Sequence, residues 1–332
     1  TERYLMGIQQ ALRLAFGPVT ALSFIVLMAC GSEATPTPAP TQAAIPTVVG
    51  VQYPLTVVDG LGRSVVISQN PTRIVSISPT ATEILYRIDG TAIGRDTGST
   101  YSSALESLPT VGSAYNPSVE AIVALEPDLI LIEAITQGHL AQILASVNVP
   151  VISVRATSMQ DIEDSLTLIG HAINQEQEAR LAIAEIESRI KAVVDSTNVV
   201  QSVLILISDA ERNLYAAMPE SYPGAVASIL GLSNSAEGLR DSGPFPGFTL
   251  FSAEQAITSN PDIILTISPA PEPAPRLATM LPMVPGFGSL PAVTKGSLHE
   301  VSADLLLTTP GPRIVDAIEE IAGLLNTAPP VY

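Results

Sequence analysis

One stretch occurs twice in this chain, and its repetition constrains the fold more than any other feature. Ser118 to Ile132 reads SVEAIVALEPDLILI, and Ser252 to Thr266 reads SAEQAITSNPDIILT. Aligned without a gap, Ser118 falls on Ser252, Glu120 on Glu254, Pro127 on Pro261, Asp128 on Asp262 and Ile130-Leu131 on Ile264-Leu265. Each copy opens with a Ser suited to capping a helix and a Glu in the first turn, where the helix dipole favours a carboxylate. A short apolar-faced helix is expected next, then Pro as a stop, then an apolar run with the character of a buried parallel strand. An offset of 134 residues between Glu120 and Glu254 far exceeds a solenoid period of about 20 to 50 residues. The repeat predicts two similar α/β lobes, each with a Glu at a helix start.

The chain has 332 residues, 46% of them apolar, which is enough for one large or two medium domains. A net charge of −17, with Lys only at Lys191 and Lys295, argues against a nucleic-acid partner. Residues 1–30 have the form of an export signal: Arg3 and Arg13 supply positive charge and Leu14 to Ala29 an apolar run. The run ends Leu27-Met28-Ala29-Cys30-Gly31, which resembles a bacterial lipobox, so lipidation at Cys30 is expected. An ordinary secretory signal or an uncleaved anchor helix are the alternatives. Cys30 is the only cysteine, so no disulfide forms within the chain. Residues 31–52, rich in Thr, Pro and Ala, read as an extended tether to a membrane surface.

From residue 53 the pattern is one of strands alternating with helices, which implies βαβ units. Strands are expected at Leu55 to Val58, Ser64 to Ile67, Ile74 to Ser78, Ala92 to Gly94 and Val149 to Val154. Helices are expected at Ala81 to Ile88 and around His139 to Val147, with an irregular polar stretch from Arg95 to Asn116. Ser158 to Asp161 has the form of a capping box opening a helix with Ile162, Leu166, Ile169 and Ile173 on one face. A second helical pattern, Gln175 to Val194, runs about 30 Å without Gly or Pro and reads as the connector between the lobes. The second lobe opens with a strand at Gln201 to Ser208 and a helix at Pro223 to Leu230. A loop from Gly238 to Leu250 leads to the repeat, and a strand near Leu298 to Val301 and a helix from Arg313 to Leu325 close the lobe.

Three ordered blocks carry a family resemblance: GRSVVISQNPTRIVSISPTATEIL (Gly62 to Leu85), NPSVEAIVALEPDLIL (Asn116 to Leu131) and LLTTPGPRIVDAIEEIAGLL (Leu306 to Leu325). They resemble the iron-complex and vitamin B12 class of ABC-transporter substrate-binding proteins, from Tyr53 to Leu325. The resemblance implies a class III periplasmic-binding-protein fold: two Rossmann-like α/β lobes joined by a single long α-helix. The expected division is 53–174 for the first lobe, 175–196 for the connecting helix, 197–326 for the second lobe and 327–332 for a tail. The implied function is a lipid-anchored, monomeric receptor outside the cytoplasm, not an enzyme. It would capture haem, a ferric siderophore or cobalamin between its lobes and deliver it to an ABC permease dimer.

In that family the Glu in each repeat docks on an arginine pocket of one permease subunit, which here implies Glu120 and Glu254. Paired carboxylate–guanidinium contacts, one per lobe, would fix orientation. The loop GRDTGSTYS (Gly94 to Ser102) matches the one that carries a ligating Tyr in the haem branch and lies near a Tyr in cobalamin binders. That position is Tyr101, followed here by Ser102 where the haem branch has Pro. Tyr115, Tyr215, Tyr222, Phe245 and Phe248 are the other aromatics expected in loops facing the cleft. Arg95 and Arg240 are candidates to meet ligand carboxylates. His139 is a weaker candidate axial ligand, and His171 and His299 have no partner at metal-site spacing. Two other readings stay open: a binding protein that signals to a membrane sensor, and a secreted α/β hydrolase. The second lacks a G-x-S-x-G elbow.

Overall fold

The structure, a computed structural model, describes residues 50–197, 200–270 and 273–326. The expected signal, Cys30, nearly all of the tether and the tail lie outside the described residues. The first elements are β1 (Leu55–Val58) and β2 (Ser64–Ile67), an antiparallel hairpin. Its turn is built on Asp59, whose carboxylate accepts from the Leu61 and Arg63 amides and from the Arg63 guanidinium. The same carboxylate takes the Ser153 amide and hydroxyl, pinning the hairpin to the first lobe.

That lobe continues with β3 (Ile74–Ser76), α1 (Pro79–Arg87), β4 (Gly94–Arg95), α2 (Ser103–Glu106), β5 (Gly112–Ser113) and β6 (Asn116–Pro117). After them come α3 (Val119–Ala124), β7 (Leu129–Glu133), α4 (Ala134–Gln137), α5 (Leu140–Leu144) and β8 (Val151–Val154). The strands β4-β3-β7-β8 form a parallel sheet in that order. Strands β3 and β8 are buried throughout and β7 nearly so, as β-branched and Leu-rich runs covered on both faces should be. The helix expected around His139 to Val147 is α5, capped at His139, its last turn tightened to a 3-10 turn at Ala145–Val147 that ends on Asn148 at φ 57°; Gly138 separates it from α4.

Two long helices follow, α6 (Met159–Ala172) and α7 (Glu176–Ser196). Ser158 caps α6 by accepting from the Asp161 amide. The Asp161 carboxylate turns to the Thr157 amide and hydroxyl instead of back to Ser158, so the capping box is half formed. Between the helices, Asn174 takes the left-handed conformation that Asn tolerates. Gly170 permits their close approach: a Cβ there would stand 2.7 Å from the Ala179 Cβ and 2.9 Å from the Gln175 carbonyl. Helix α7 buries Ala179, Ala182 and Ile186, a stripe at helical spacing.

The second lobe is built from β9 (Ser202–Ser208), β10 (Leu214–Ala217), α8 (Tyr222–Ile229), β11 (Ser233–Asn234) and β12 (Phe248–Leu250). It continues with α9 (Ala253–Ser259), β13 (Ile263–Ile267), α10 (Leu277–Met280), α11 (Pro291–Thr294), β14 (Leu298–Val301) and α12 (Ile314–Asn326). Its sheet runs β12-β10-β9-β13-β14, with β11 also paired to β9. The β9-β13-β14 part is parallel, whereas β10 and β12 extend it antiparallel. Strand β10 has no counterpart in the sequence reading.

The two copies of the repeat match in three dimensions. Ser118 and Ser252 each cap their helix by accepting from the third residue on, Ala121 or Gln255. Each helix ends in a left-handed residue, Glu126 at φ 47° or Asn260 at φ 42°, a common helix terminator. The shared Pro is buried in both copies. The shared Asp ties its strand to the neighbouring strand's start: Asp128 accepts from the Thr72 and Arg73 amides, and Asp262 from the Ser202 amide and hydroxyl. Hydrogen bonds to a carboxylate contribute about 1.5 to 3 kcal/mol. Asp128→Ala and Asp262→Ala are each expected to lower unfolding free energy in urea by about 2 kcal/mol. The double variant should be near the sum, because the sites lie in different lobes.

Candidate site at the lobe junction

The lobes meet at a buried ion pair. Helix α1 starts with Ser78 as cap and Pro79 at its first position, a favourable N-terminal pairing. Glu83, one turn in, points towards the second lobe. Arg313, just before α12, donates from Nε to Glu83 Oε1 at 2.6 Å, and its Nη2 lies 2.5 Å from the same oxygen. Its Nη1 donates to Asp304 Oδ2 at 2.7 Å. Only 3% of the Glu83 side chain is exposed, and Glu83 Oε2 has no hydrogen-bond partner among the described residues.

Burial pushes the Glu83 carboxyl up to about 7, outweighing the hydrogen bond and attraction of Arg313. Burial also works against Asp304, but there the bonds from Arg313 and Thr309 win and hold it below its usual value. Arg313 is held more firmly charged than a free guanidinium, since its two carboxylates outweigh its own burial.

Tyr101 completes the cluster. Its ring lies under the Arg313 guanidinium at 5.9 Å and meets Tyr86 edge-on at 6.5 Å. It remains 38% exposed. Burial, then the Glu83 charge, pushes its hydroxyl well up, so it stays protonated. The loop that carries it is fixed from beneath by a chain of hydroxyls. Ser99 donates to the Asp96 carboxylate and lies 3.1 Å from Thr82 Oγ1, which in turn lies 2.8 Å from Ser76 Oγ. This arrangement offers a phenol, a guanidinium and a carboxylate at the boundary of two lobes. Such groups bind and orient; no nucleophile–base pair sits among them.

Several of the other candidates are placed differently from the sequence expectation, whereas Tyr115, Arg240 and Phe245 lie in loops as expected. Arg95 is buried in β4 and donates to the Leu105 and Asp96 carbonyls, fixing the following loop. Tyr215 and Phe248 lie in β10 and β12, not in loops, and both are buried. They pack around Phe245, whose ring is 5.3 Å from Tyr215 and 6.4 Å from Phe248, because the antiparallel extension turns these side chains into a core. Tyr222 starts α8, buried, with its hydroxyl 3.5 Å from the Gly311 carbonyl. Tyr115 is 75% exposed between β5 and β6, and Arg240 is exposed in the loop before β12. His139 sits at the start of α5, His171 bonds Glu176 at 2.7 Å, and burial lowers His299 on β14. No group of three His, Cys, Asp or Glu suited to a metal ion occurs among the described residues.

Glu120 and Glu254 are both exposed, on α3 and α9, and neither carboxylate forms a hydrogen bond or ion pair with the described residues. Among these residues no helix is long and apolar enough to cross a membrane. An open depression of about 460 Å³ at residues 50–53, Asn70 and Asn174 shares no residue with the junction cluster.

Glu83 and Arg313 were not among the candidates read from the sequence. Glu83 lies in a helix that looks ordinary, and its partner is 230 residues away. The one local signal is the succession Thr80, Glu83, Arg87, whose spacing puts polar groups along one face of the helix.

The raised Glu83 carboxyl sets a direction for pH. Its folded value, about 7, lies above the ordinary value of 4.5 for an exposed Glu. The resulting stabilisation is complete below the unfolded value and is lost as pH rises towards 7 and beyond. Glu83→Gln is therefore expected to flatten the decline in melting temperature across the window from the ordinary value of 4.5 to the folded value of about 7. Arg313→Ala leaves a buried unpaired carboxylate at high pH, costing about 3 to 5 kcal/mol, and costs less at pH 5, where Glu83 is protonated. Thermal unfolding followed by circular dichroism across that range measures both effects.

A periplasmic binding protein profile matches residues 74–305. An uncharacterized ABC transporter substrate-binding lipoprotein, YvrC of Bacillus subtilis, is 25% identical over 281 residues, covering 81% of this chain and 85% of that protein. A cobalamin-binding protein of Halobacterium salinarum is 22% identical, covering 82% and 74%. Among solved structures, the periplasmic haem-binding protein HutB of Vibrio cholerae superposes with a TM-score of 0.68 at 22% identity, covering 77% of this chain and 99% of that one. The two-lobed α/β architecture is shared with it. The matched family serves substrate binding in transport and is not an enzyme family. On the extent of the profile match and the two lobes around α7, the chain belongs to the periplasmic binding protein family.

Proposed function

We propose that the protein is a lipid-anchored receptor outside the cytoplasm that holds a metal chelate at the lobe junction and presents it to an ABC permease dimer. The observation that carries this reading is the pairing of two features. A partly exposed Tyr101 is fixed on an inter-lobe ion pair, and one exposed, unpartnered Glu stands at the same position of each lobe. The first suits a ligand held between lobes. The second suits a partner gripped at two points, with directional carboxylate–guanidinium contacts. Cys30, the expected lipidation site, would tether the receptor at the membrane that holds the permease.

Haem, a ferric siderophore and cobalamin are the candidate ligands, and the charges at the junction favour one kind. Arg313 is already engaged by Glu83 and Asp304, so ligand carboxylates find no free guanidinium there. Tyr101, partly exposed beside that engaged guanidinium, offers a phenol that can donate to an amide or hydroxyl rim. A chelate with a neutral, amide-bearing rim such as cobalamin fits this chemistry best.

Spectroscopic titration with cyanocobalamin and with haemin tests the ligand. Cyanocobalamin is expected to bind, and Tyr101→Ala to weaken it by about tenfold, the loss of one aromatic contact of about 1.4 kcal/mol. Glu120→Ala and Glu254→Ala should leave that affinity unchanged and lower uptake in cells carrying the importer, the double variant most. Haemin binding with a tyrosinate spectrum and no cyanocobalamin binding would overturn the ligand assignment. Loss of ligand affinity in the Glu variants would overturn the division of roles.

A further inference from the structure

The repeat carries a second matched feature. Val123 lies three residues after Glu120 and is 50% exposed; Ile257 lies three residues after Glu254 and is 54% exposed. The two positions correspond in the gapless alignment of the copies. Residues three apart on a helix are surface neighbours, with Cβ atoms about 5 to 6 Å apart. Each lobe therefore displays one carboxylate beside one β-branched aliphatic side chain, on helices that share cap, terminator and burial order.

A single exposed aliphatic residue is ordinary. Two at the same register of a duplicated unit, each beside an unpartnered Glu, are a different observation. The core does not require them: the inward position of each helix is taken by Ile122 or Ala256, both fully buried. The side chain at the inward position differs greatly in size between the copies, whereas the outward one is a β-branched aliphatic in both. The outward pair thus matches better than the core pair, as expected where a common external surface sets the residue type.

We infer that Val123 and Ile257 are apolar anchors of the transporter-docking surface, each seated in a recess beside the cation that receives the neighbouring Glu. The inference rests on the docking reading of Glu120 and Glu254 and adds the contact that excludes water from those ion pairs. An exposed pair contributes about 0 to 1 kcal/mol. An aliphatic side chain closed over it both buries apolar area and lowers the local dielectric. The occupant is a membrane protein that presents the same recess twice, once to each lobe, as a permease of two like subunits does.

The test measures binding of the full-length protein to the permease complex of its own importer in lipid nanodiscs, at low and high salt. Val123→Ser and Ile257→Ser are each expected to weaken binding about tenfold, and the Thr variants, which keep the branched shape, by less. The Glu120→Ala/Glu254→Ala variant should retain weak binding that no longer responds to salt, and adding the two Ser substitutions should abolish it. Circular dichroism melting and cyanocobalamin titration check that each variant is folded. If the Ser variants bind as the parent does while the Glu variants fail, the anchors are overturned and the docking reading stands. If neither set changes binding, the docking reading falls with them.

Discussion

The junction of this molecule depends on how helix α7 is held from both sides. It is the one segment of the described chain that passes from the first sheet to the second. Its buried stripe of Ala179, Ala182 and Ile186 is small and close-packed, which is why Gly170 must lack a side chain where α6 crosses it. Charges at its flanks extend the hold. Arg87 of α1 pairs with Glu185, and Arg189 reaches Asp316 and Glu319 of α12. These pairs are half exposed and each contributes little alone. Their arrangement matters more: α1 and α12, which bear Glu83 and border Arg313, are both indexed against the same helix. A stiff rod gripped by both lobes limits bending to small angles.

Against that restraint, Glu83 is a costly element. Its carboxylate is buried, and one of its oxygens has no partner among the described residues. Desolvation outweighs the pairing for Glu83, yet for Asp304 on the same guanidinium the pairing outweighs desolvation. The difference is solvent: the Asp304 side chain is 57% exposed and that of Glu83 3%. Buried ion pairs often contribute less stability than an apolar replacement would. What this one supplies is registration, since it joins α1 to the loop before α12 and gives Tyr101 a flat cation to rest on.

Much of the fold was legible because it follows from periodicity. The paired strands at Leu55–Val58 and Ser64–Ile67, the connecting helix and the two repeat units agree closely with the patterns that announce them. The misreadings have a common cause. Leu214–Ala217 is a short run without alternation, so β10 looked like loop, and with it Tyr215 and Phe248 looked like free aromatics. Arg95 looked available because its acceptors are backbone carbonyls, which leave no trace in side-chain patterns. The junction itself was invisible for a deeper reason: Glu83 and Arg313 acquire meaning from each other, across the full width of the chain.

That separation has a consequence for assembly. Each sheet draws its strands from one half of the sequence, so each can be completed by contacts within that half. Arg313 follows Glu83 by 230 residues and stands just before α12, the last helix of the described residues. While the chain is synthesised and exported, the first lobe can therefore close with Glu83 still hydrated and unpaired. Its dehydration waits for the arrival of the second lobe, which makes union of the lobes a late event with its own energetic barrier.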